Sequence, residues 1–580
     1  MCPVPAVPVL RLAAVALACS ALTARADAPG REGATPKAAP GVRTPLALGD
    51  VDYRGELWTR YAAATCNLLT RGDRYPLGSF RASASGTPGA LWWDWPGDQV
   101  GRWLSVLHVG EAHGWTPARA ARAAIADIVL PLQTEQGNFG PPVPLDQRDV
   151  RVISGNAFAL RGLVDAFEDT GDRRYLEAAR RLGRYFEAVA PYWRVTPEGH
   201  MHEFYGHCLD GLVRLHELGG DEWALDLATS LAAGVGRTPH THHSLSMYRG
   251  VLELYRVTGD PQLLARTDDY LEWCRECRLV SGGLPESMPT SGQDEGCGLA
   301  DYLVVNLMAY SLTGEDAYLD DAEHLLVNHF LMNQFHTGGF GHRSFGQEIV
   351  GGKQWQGWDG RFGSENPGCC SLWGAWALGE LGRYIVTRAG EDIEVNLYPA
   401  AYVRVRERGL MIEIDSDFPR MSHARIKLHC DEASRFALRL RVPGWAESCL
   451  ATCNGDELEP AAPGQRLVLD RRWHSGDVIE LWFPSAPRLV HWPTADAPTV
   501  AVFDGPLCLA LSSAAGDVDA FRYVRADEDG RPLPDGQGRP IVLDADGHAL
   551  SGLAPMADDW LSSPVADPNR LRILFELIDG

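Results

Sequence analysis

Two short clusters in this sequence combine side chains that do chemistry. One is Asp294-Glu295-Gly296-Cys297; the other, 72 residues beyond Cys297, is Gly368-Cys369-Cys370. Together they offer one carboxylate and three thiols, a four-ligand set suited to tetrahedral zinc. Soft thiolates with one hard oxygen favour zinc over calcium or magnesium. Adjacent cysteines rarely bond to each other, because the ring so closed is strained, so Cys369 and Cys370 need other partners. A shared metal and separate disulfides are both open at this point. Of 13 cysteines, 11 follow the N-terminal segment read below as an export signal. That odd number leaves at least one outside any intramolecular disulfide. Cys274 and Cys277 form a C-x-x-C on one face of an apparent helix, with no second pair at zinc-ribbon spacing, and read as buried thiols or a local redox pair. Cys430, Cys449 and Cys453 fall among strands, where a disulfide is a further option.

The elements that must position these clusters show in the periodicity. From about residue 51 to 388 the pattern is helical and repeats one plan: an apolar helix, a turn of Gly beside an acid, then a second helix. The turns are Gly171-Asp172, Gly220-Asp221, Gly259-Asp260 and Gly314-Glu315, at intervals of 49, 39 and 55 residues. Glycine ends the first helix in a left-handed cap, and the acid starts the next. Uneven repeats predict a closed double ring of helices, an (α/α) barrel, because a solenoid needs near-identical units to stack. The long loops at 86–101, 136–146 and 282–298 would gather at one end and build a pocket. Near residue 390 the pattern changes to alternating strands, such as Leu410-Met411-Ile412-Glu413-Ile414 and Phe436-Ala437-Leu438-Arg439-Leu440, which predict an antiparallel β-sandwich.

The expected organisation is therefore multidomain α+β: signal peptide 1–26, flexible leader 27–50, (α/α) barrel 51–388, β-sandwich 389–490, and a β-rich segment 491–580 that completes the sandwich or returns to the barrel. In the signal, Arg11 precedes the apolar run Leu12–Ala18, and Ala24-Arg25-Ala26 offers a cleavage site. The protein is accordingly expected outside the cytoplasm, secreted or periplasmic; Ala16-Leu17-Ala18 before Cys19 also admits a lipoprotein. The apolar run is too short to span a bilayer, and no later segment has that length. A net charge of −23 argues against nucleic acid or an anionic membrane as partner. The 18 tryptophans suit sugar binding, since apolar ring faces pack on indole, though large cores use them equally.

The metal residues resemble the zinc site of the β-L-arabinofuranosidase family, glycoside hydrolase family 127 and its relatives. Members carry a Glu-x-Cys motif and a later Cys-Cys pair whose four side chains bind one zinc. The resemblance assigns these roles to Glu295, Cys297, Cys369 and Cys370, and makes Cys369 the nucleophile. It extends to Arg441-Val442-Pro443-Gly444-Trp445-Ala446, Cys453-Asn454-Gly455, Arg471-Arg472-Trp473, Gly476-Asp477-Val478-Ile479 and Phe503-Asp504-Gly505-Pro506-Leu507. It implies a retaining double displacement in which a thiolate attacks the anomeric carbon and a carboxylic acid protonates the leaving oxygen. That acid is a Glu after a Gly-Gly pair, here Gly282-Gly283-Leu284-Pro285-Glu286, with Asp294 as competitor. His240, ahead of Met247-Tyr248-x-Gly250, and His207 match positions where the family binds sugar. His242 and His243 remain unassigned. Trp355 and Trp358 are available to stack on a sugar ring or to fill the core.

The chain departs from the pattern beside the nucleophile. Many members carry another cysteine two residues before the pair and Pro-Pro-Asn after it; here Pro367 precedes it and Ser371-Leu372-Trp373 follows. The aromatic-Asn-Pro segment typical before the motif is replaced by Gly339-Phe340-Gly341-His342-Arg343. These changes are expected to reshape the sugar pocket. The resulting expectation is a zinc-thiolate exo-glycosidase acting on a plant or algal glycan. The alternatives are a glycosidase or polysaccharide lyase working through carboxylates or His/Tyr with structural zinc, and a non-catalytic carbohydrate-binding protein.

Overall fold

The computed structural model describes residues 42–71, 95–115, 117–140, 144–146, 150–193, 195, 201–202, 205–335, 337–343, 365–366, 368–492 and 499–512, with strands at 348–350, 353–355, 523–526, 551–552, 571–572 and 575–579. The expected signal and most of the expected leader lie outside these residues, as does Trp358.

The helical part holds α1 (Gly55–Arg71), α2 (Asp98–Ala112), α3 (Pro117–Val129), α4 (Val150–Thr170), α5 (Arg173–Val189), α6 (Leu209–Gly219), α7 (Glu222–Ala232), α8 (Thr241–Thr258), α9 (Pro261–Cys277), α10 (Gly296–Thr313), α11 (Asp316–Leu325) and α12 (Cys369–Ile385). The chain after α11 continues as a π-turn, Leu326–Phe330, and one short turn, Leu331–Asn333. Helices α2, α4, α6, α8, α10 and α12 each pack on the next, and α12 closes on α2; α3, α5, α7, α9, α11 and α1 cover them from outside. This is the closed double ring, not a solenoid.

The local causes are those the sequence implies. Gly171, Gly220, Gly259 and Gly314 all take positive φ at helix ends. Asp172 and Asp260 then accept the backbone N–H of Arg174 and Gln262. Asp221 instead binds Arg180 and the Trp223 indole, and the Glu315 side chain makes no cap bond. Inner helix α10 is buried on every face from Gly296 through Leu312, whereas outer helix α5 buries one stripe. The inner helices approach closely. A Cβ on Gly162 would lie 2.3 Å from the Gly101 carbonyl oxygen, and one on Gly250 2.4 Å from the Leu209 Cβ. Because each outer helix returns the chain, all six inner helices run the same way and present their N-termini at one end.

The strands are β1 (Thr44–Pro45), β2 (Val51–Tyr53), β3 (Glu348–Val350), β4 (Lys353–Trp355), β5 (Val386–Ala389), β6 (Asp392–Val395), β7 (Ala401–Val405), β8 (Leu410–Ser416), β9 (His423–Cys430), β10 (Ser434–Arg441), β11 (Leu450–Cys453), β12 (Asp456–Glu457), β13 (Arg466–Trp473), β14 (Val478–Trp482), β15 (Arg488–Trp492), β16 (Thr499–Asp504) and β17 (Leu507–Ser512). One sheet has the order β1-β5-β6-β10-β13 and the other β12-β11-β14-β9-β8-β7-β2; their buried faces share one core. Within these two sheets pairing is antiparallel except for β6 with β10, which meet in parallel after the chain has crossed through β7–β9 in the other sheet. Two expectations are corrected here. Residues 44–53, expected as leader and barrel entry, supply edge strands to both sheets, because β1 pairs with β5 and β2 with β7. Cys430, Cys449 and Cys453 form no disulfide; all 11 described cysteines are free thiols.

The string around Arg441 docks the sandwich on the barrel. Arg441 and the Trp445 indole both bond Glu323 of α11, and Arg466 reaches the Tyr310 hydroxyl and Asp316. Strands β15, β16 and β17 open a third sheet with the four strands that follow. Its β16–β17 turn meets the π-turn: the Asn328 amide donates to the Pro506 carbonyl and accepts from the Cys508 N–H. No helix among the described residues is long and apolar enough to cross a membrane.

Candidate active site

The two chemical clusters begin neighbouring inner helices. Glu295 is the N-cap of α10 with Cys297 in its first turn, and Cys369 and Cys370 open α12. One ligand atom from each of Glu295, Cys297, Cys369 and Cys370 lies within 4.8 Å of all the others. The Cys297 and Cys370 sulfurs are 3.6 Å apart, and those of Cys369 and Cys370 3.9 Å. A tetrahedral zinc with Zn–S bonds of about 2.3 Å holds its sulfurs about 3.8 Å apart. The Glu295 Oε2 is buried without a hydrogen-bond partner. An orphaned acidic oxygen beside three converging sulfurs fits a soft divalent cation.

The three thiols are not equivalent. Cys297 and Cys370 are buried, while Cys369 is half-buried. Hydrogen bonds from the Cys297 and Cys370 thiols, assisted by Arg102, hold the Cys369 thiol well below the usual range despite its burial. Burial pushes both Cys297 and Cys370 up. The Asn366 amide also donates to the Cys369 sulfur at 3.3 Å. Positive helix N-termini favour thiolates at these positions. Burial, with Cys369 and Glu286 nearby, drives the Glu295 carboxyl well above its ordinary value.

Glu286 lies on the loop before α10. Its Oε2 accepts from Gln293 at 2.7 Å, its side chain is 27% exposed, and a carboxylate oxygen comes within 4.8 Å of ligand atoms of His240 and Glu295. Its competitor Asp294 is fully buried and saturated: it accepts from Asn333, the Arg343 N–H and His329. His240 is the N-cap of α8, its backbone bridging Ser287, and burial lowers its imidazole to about 3. His207 lies deeper, 1% exposed, its ring nitrogens meeting Ser154 and His243. Cys274 and Cys277 are buried on α9, away from these residues. Trp355 lies on β4, its side chain outside the described residues.

Sequence reasoning missed five participants. Arg102 sits 4.0 Å from the Cys297 sulfur and 2.9 Å from His242 Nε2, with its Nε on Asp98. His242 Nδ1 meets Asp301 at 2.6 Å, and Asp301 also binds Arg249, Ser246 and the Trp373 indole. Asn366 is the fourth. His342, in the segment that departs from the family pattern, donates Nδ1–H to the Asp294 carbonyl and turns Nε2 toward Cys370 at 3.9 Å. The i,i+4 pair Asp98/Arg102 is the one signal the sequence held, and such pairs are common on helices.

Comparisons with known proteins bear on the family and the fold. Residues 92–342 match the β-L-arabinofuranosidase GH127 catalytic domain, and residues 392–485 the GH127 middle domain. Among solved structures, a GH127 β-L-arabinofuranosidase from Geobacillus stearothermophilus T6 is similar at 16% identity and a TM-score of 0.69, over 91% of this chain and 100% of that one. A GH127 β-arabinofuranosidase is similar at 17% identity and 0.70, over 93% and 98%. At such identities these structures speak for the fold. No curated protein matches the chain.

Proposed function

The chain belongs to the β-L-arabinofuranosidase family, glycoside hydrolase family 127, and from that premise we propose that this glycoside hydrolase is a retaining exo-enzyme that removes terminal sugars from plant or algal glycans with Cys369 as nucleophile. The observation that carries this reading is the convergence of Glu295 with three thiols from two helix N-termini, of which Cys369 alone is half-open. Glu295, Cys297, Cys369 and Cys370 would hold zinc. When bound, zinc keeps the thiols deprotonated and makes a sulfur at this position a competent leaving group.

The chain's own residues supply the rest. The Cys369 thiolate attacks the anomeric carbon as the glycosidic C–O bond breaks, and Glu286 gives its proton to the departing oxygen. In the second half, the Glu286 carboxylate takes a proton from water, water oxygen bonds to the anomeric carbon, and the C–S bond breaks to restore the thiolate. Asn366 orients the sulfur. His240, half-buried beside Glu286, is proposed to bind a sugar hydroxyl, and His207 to support that contact through His243. The 1–26 signal is proposed to send the protein out of the cytoplasm, and the 51–388, 389–490 and 491–580 segments are proposed as its domains, with strands β1 and β2 of residues 44–53 counted with the second.

The test is Cys369→Ser on a panel of p-nitrophenyl glycosides, with zinc measured on the same samples. Loss of turnover by at least about a thousandfold with zinc retained is expected. Near-normal turnover would point to carboxylate chemistry with structural zinc instead.

A further inference from the structure

The loop from Ser281 to Glu295 carries the proposed acid at Glu286 and ends on a proposed metal ligand. Its two ends are joined by one side chain from another element. His329, in the π-turn after α11, meets the Ser281 hydroxyl through Nδ1 at 2.7 Å and Asp294 through Nε2 at 2.7 Å. All three residues are completely buried. Asp294 is anchored in turn by Asn333 at 3.0 Å and by the Arg343 N–H at 2.6 Å. Across the loop, the Glu286 N–H donates to the Gln293 carbonyl at 2.9 Å, tying the acid's backbone to the residue before Asp294.

The glycine pair in this loop has a matching reason. A Cβ on Gly283 would lie 2.4 Å from the His329 ring, and one on Gly282 2.3 Å from the His324 ring. His324 also holds the Val280 carbonyl at 2.9 Å. Only a loop bare of side chains can lie on these two imidazoles. π-Turns of this kind recur at functional sites because the extra residue re-aims side chains. Here it lets His329 face the loop while Asn328 fastens the turn to the β16–β17 hairpin.

We propose that Ser281, His329 and Asp294 form a positioning clamp that fixes the separation of Glu286 from Glu295, so that acid and metal cluster stand in register. It rests on the roles proposed above for those two glutamates. The clamp acts through geometry and donates no proton to substrate. The Asp294 carboxylate can only accept, so Nε2 carries the proton and the Ser281 hydroxyl donates to Nδ1. Asp294→Asn reverses that direction without breaking the chain: the new amide donates to Nε2, and Nδ1–H donates to Ser281.

The test compares H329F, G283A, S281A and D294N, each purified with zinc and checked for a folded thermal transition. The readouts are kcat and KM on the p-nitrophenyl glycoside turned over best, and zinc retention against a chelator. A misplacement of about 1 Å is worth about a hundredfold in rate, and loss of a ligand's support about ten- to a hundredfold in metal affinity. We expect H329F and G283A to lose about 30- to 100-fold in kcat with KM within about threefold, and to release zinc more readily. S281A, which breaks one bond, should fall between them and wild type, and D294N should keep kcat within about fivefold. If D294N loses as much as H329F, Asp294 acts as an acid in its own right and the clamp is overturned. Unchanged kcat and zinc retention in S281A and G283A overturns it too, even where H329F does not fold. Wild-type activity in E286Q would instead overturn the acid assignment, and zinc retention would still read the clamp.

Discussion

Cys369 differs from the other two thiols of its cluster in access and in charge. It is half-buried where they are closed, and their hydrogen bonds hold it well below the usual thiol range while burial raises theirs. A thiolate reacts and a thiol does not. The metal-free enzyme treated briefly with iodoacetamide at neutral pH should therefore be alkylated first at Cys369. Cys66 and Cys430, also half-buried, should lag by at least about tenfold because burial raises both thiols. Peptide mass spectrometry reads the order, and modification of Cys66 or Cys430 ahead of Cys369 would contradict the assignment. At this scale the sequence was informative where residue type alone limits chemistry. One carboxylate and three thiols have few joint uses, so Glu295, Cys297, Cys369 and Cys370 stood out. Arg102, Asp301 and Asn366 did not, because their types occur everywhere and only convergence in space gives them a role.

The barrel places these residues together through a property of its elements. Parallel inner helices bring six N-termini to one end, so His240, Glu295, Cys297, Cys369 and Cys370 meet although they are scattered over 130 residues of sequence. Behind them the inner helices are cross-linked by a buried chain of polar and charged groups running from Asp98 and Arg102 through His242, Asp301, Arg249, Asp210 and Arg161 to Asp165. Asp210 on α6 is the middle link, fully buried and bonded to Arg161 on α4 and Arg249 on α8. Asp210→Ala strips part of the pairing from two buried guanidiniums. It should cost about 3–5 kcal/mol, the usual penalty for leaving a buried charge uncompensated. Urea unfolding measures this, and a loss below about 1 kcal/mol would mean that water or neighbouring acids replace the carboxylate. The hairpin turns were legible because Gly and Asp at helix ends obey local rules. The short strands β1 and β2 were not, since two or three residues carry no alternation to read.

For the whole molecule, the histidines set how the fold responds to acid. Burial lowers His113, His207, His242 and His243, and lowers His240 to about 3 and His324 to about 4. His108 is raised instead: burial lowers it, but Asp169 with Asp165 and Glu168 together outweigh that burial. A histidine lowered in the folded state stays neutral there but binds a proton on unfolding once the pH falls below the ordinary value of about 6.5. Its contribution is thus complete above that pH and is lost between there and the folded value. His108 works in the opposite sense, adding stability below about 6.5 that vanishes as the pH rises through its folded value. Among these histidines, six lowered against one raised give a net loss on acidification. Each fully shifted histidine contributes up to about 1.4 kcal/mol per pH unit, so several together remove a few kcal/mol between pH 6.5 and 5.5. Urea unfolding of the metal-free protein from pH 8 down to 5 should show a decline that steepens near pH 6.5, on top of the slope that the depressed Cys369 thiol contributes from higher pH and that the raised Glu295 carboxyl opposes. The Asp165 carboxyl at about 2 and Glu253 at about 2 continue the decline only at lower pH, so they cannot imitate this onset. Absence of any steepening between pH 6.5 and 5.5 would mean that the histidines beneath the site are reached by water in the folded protein.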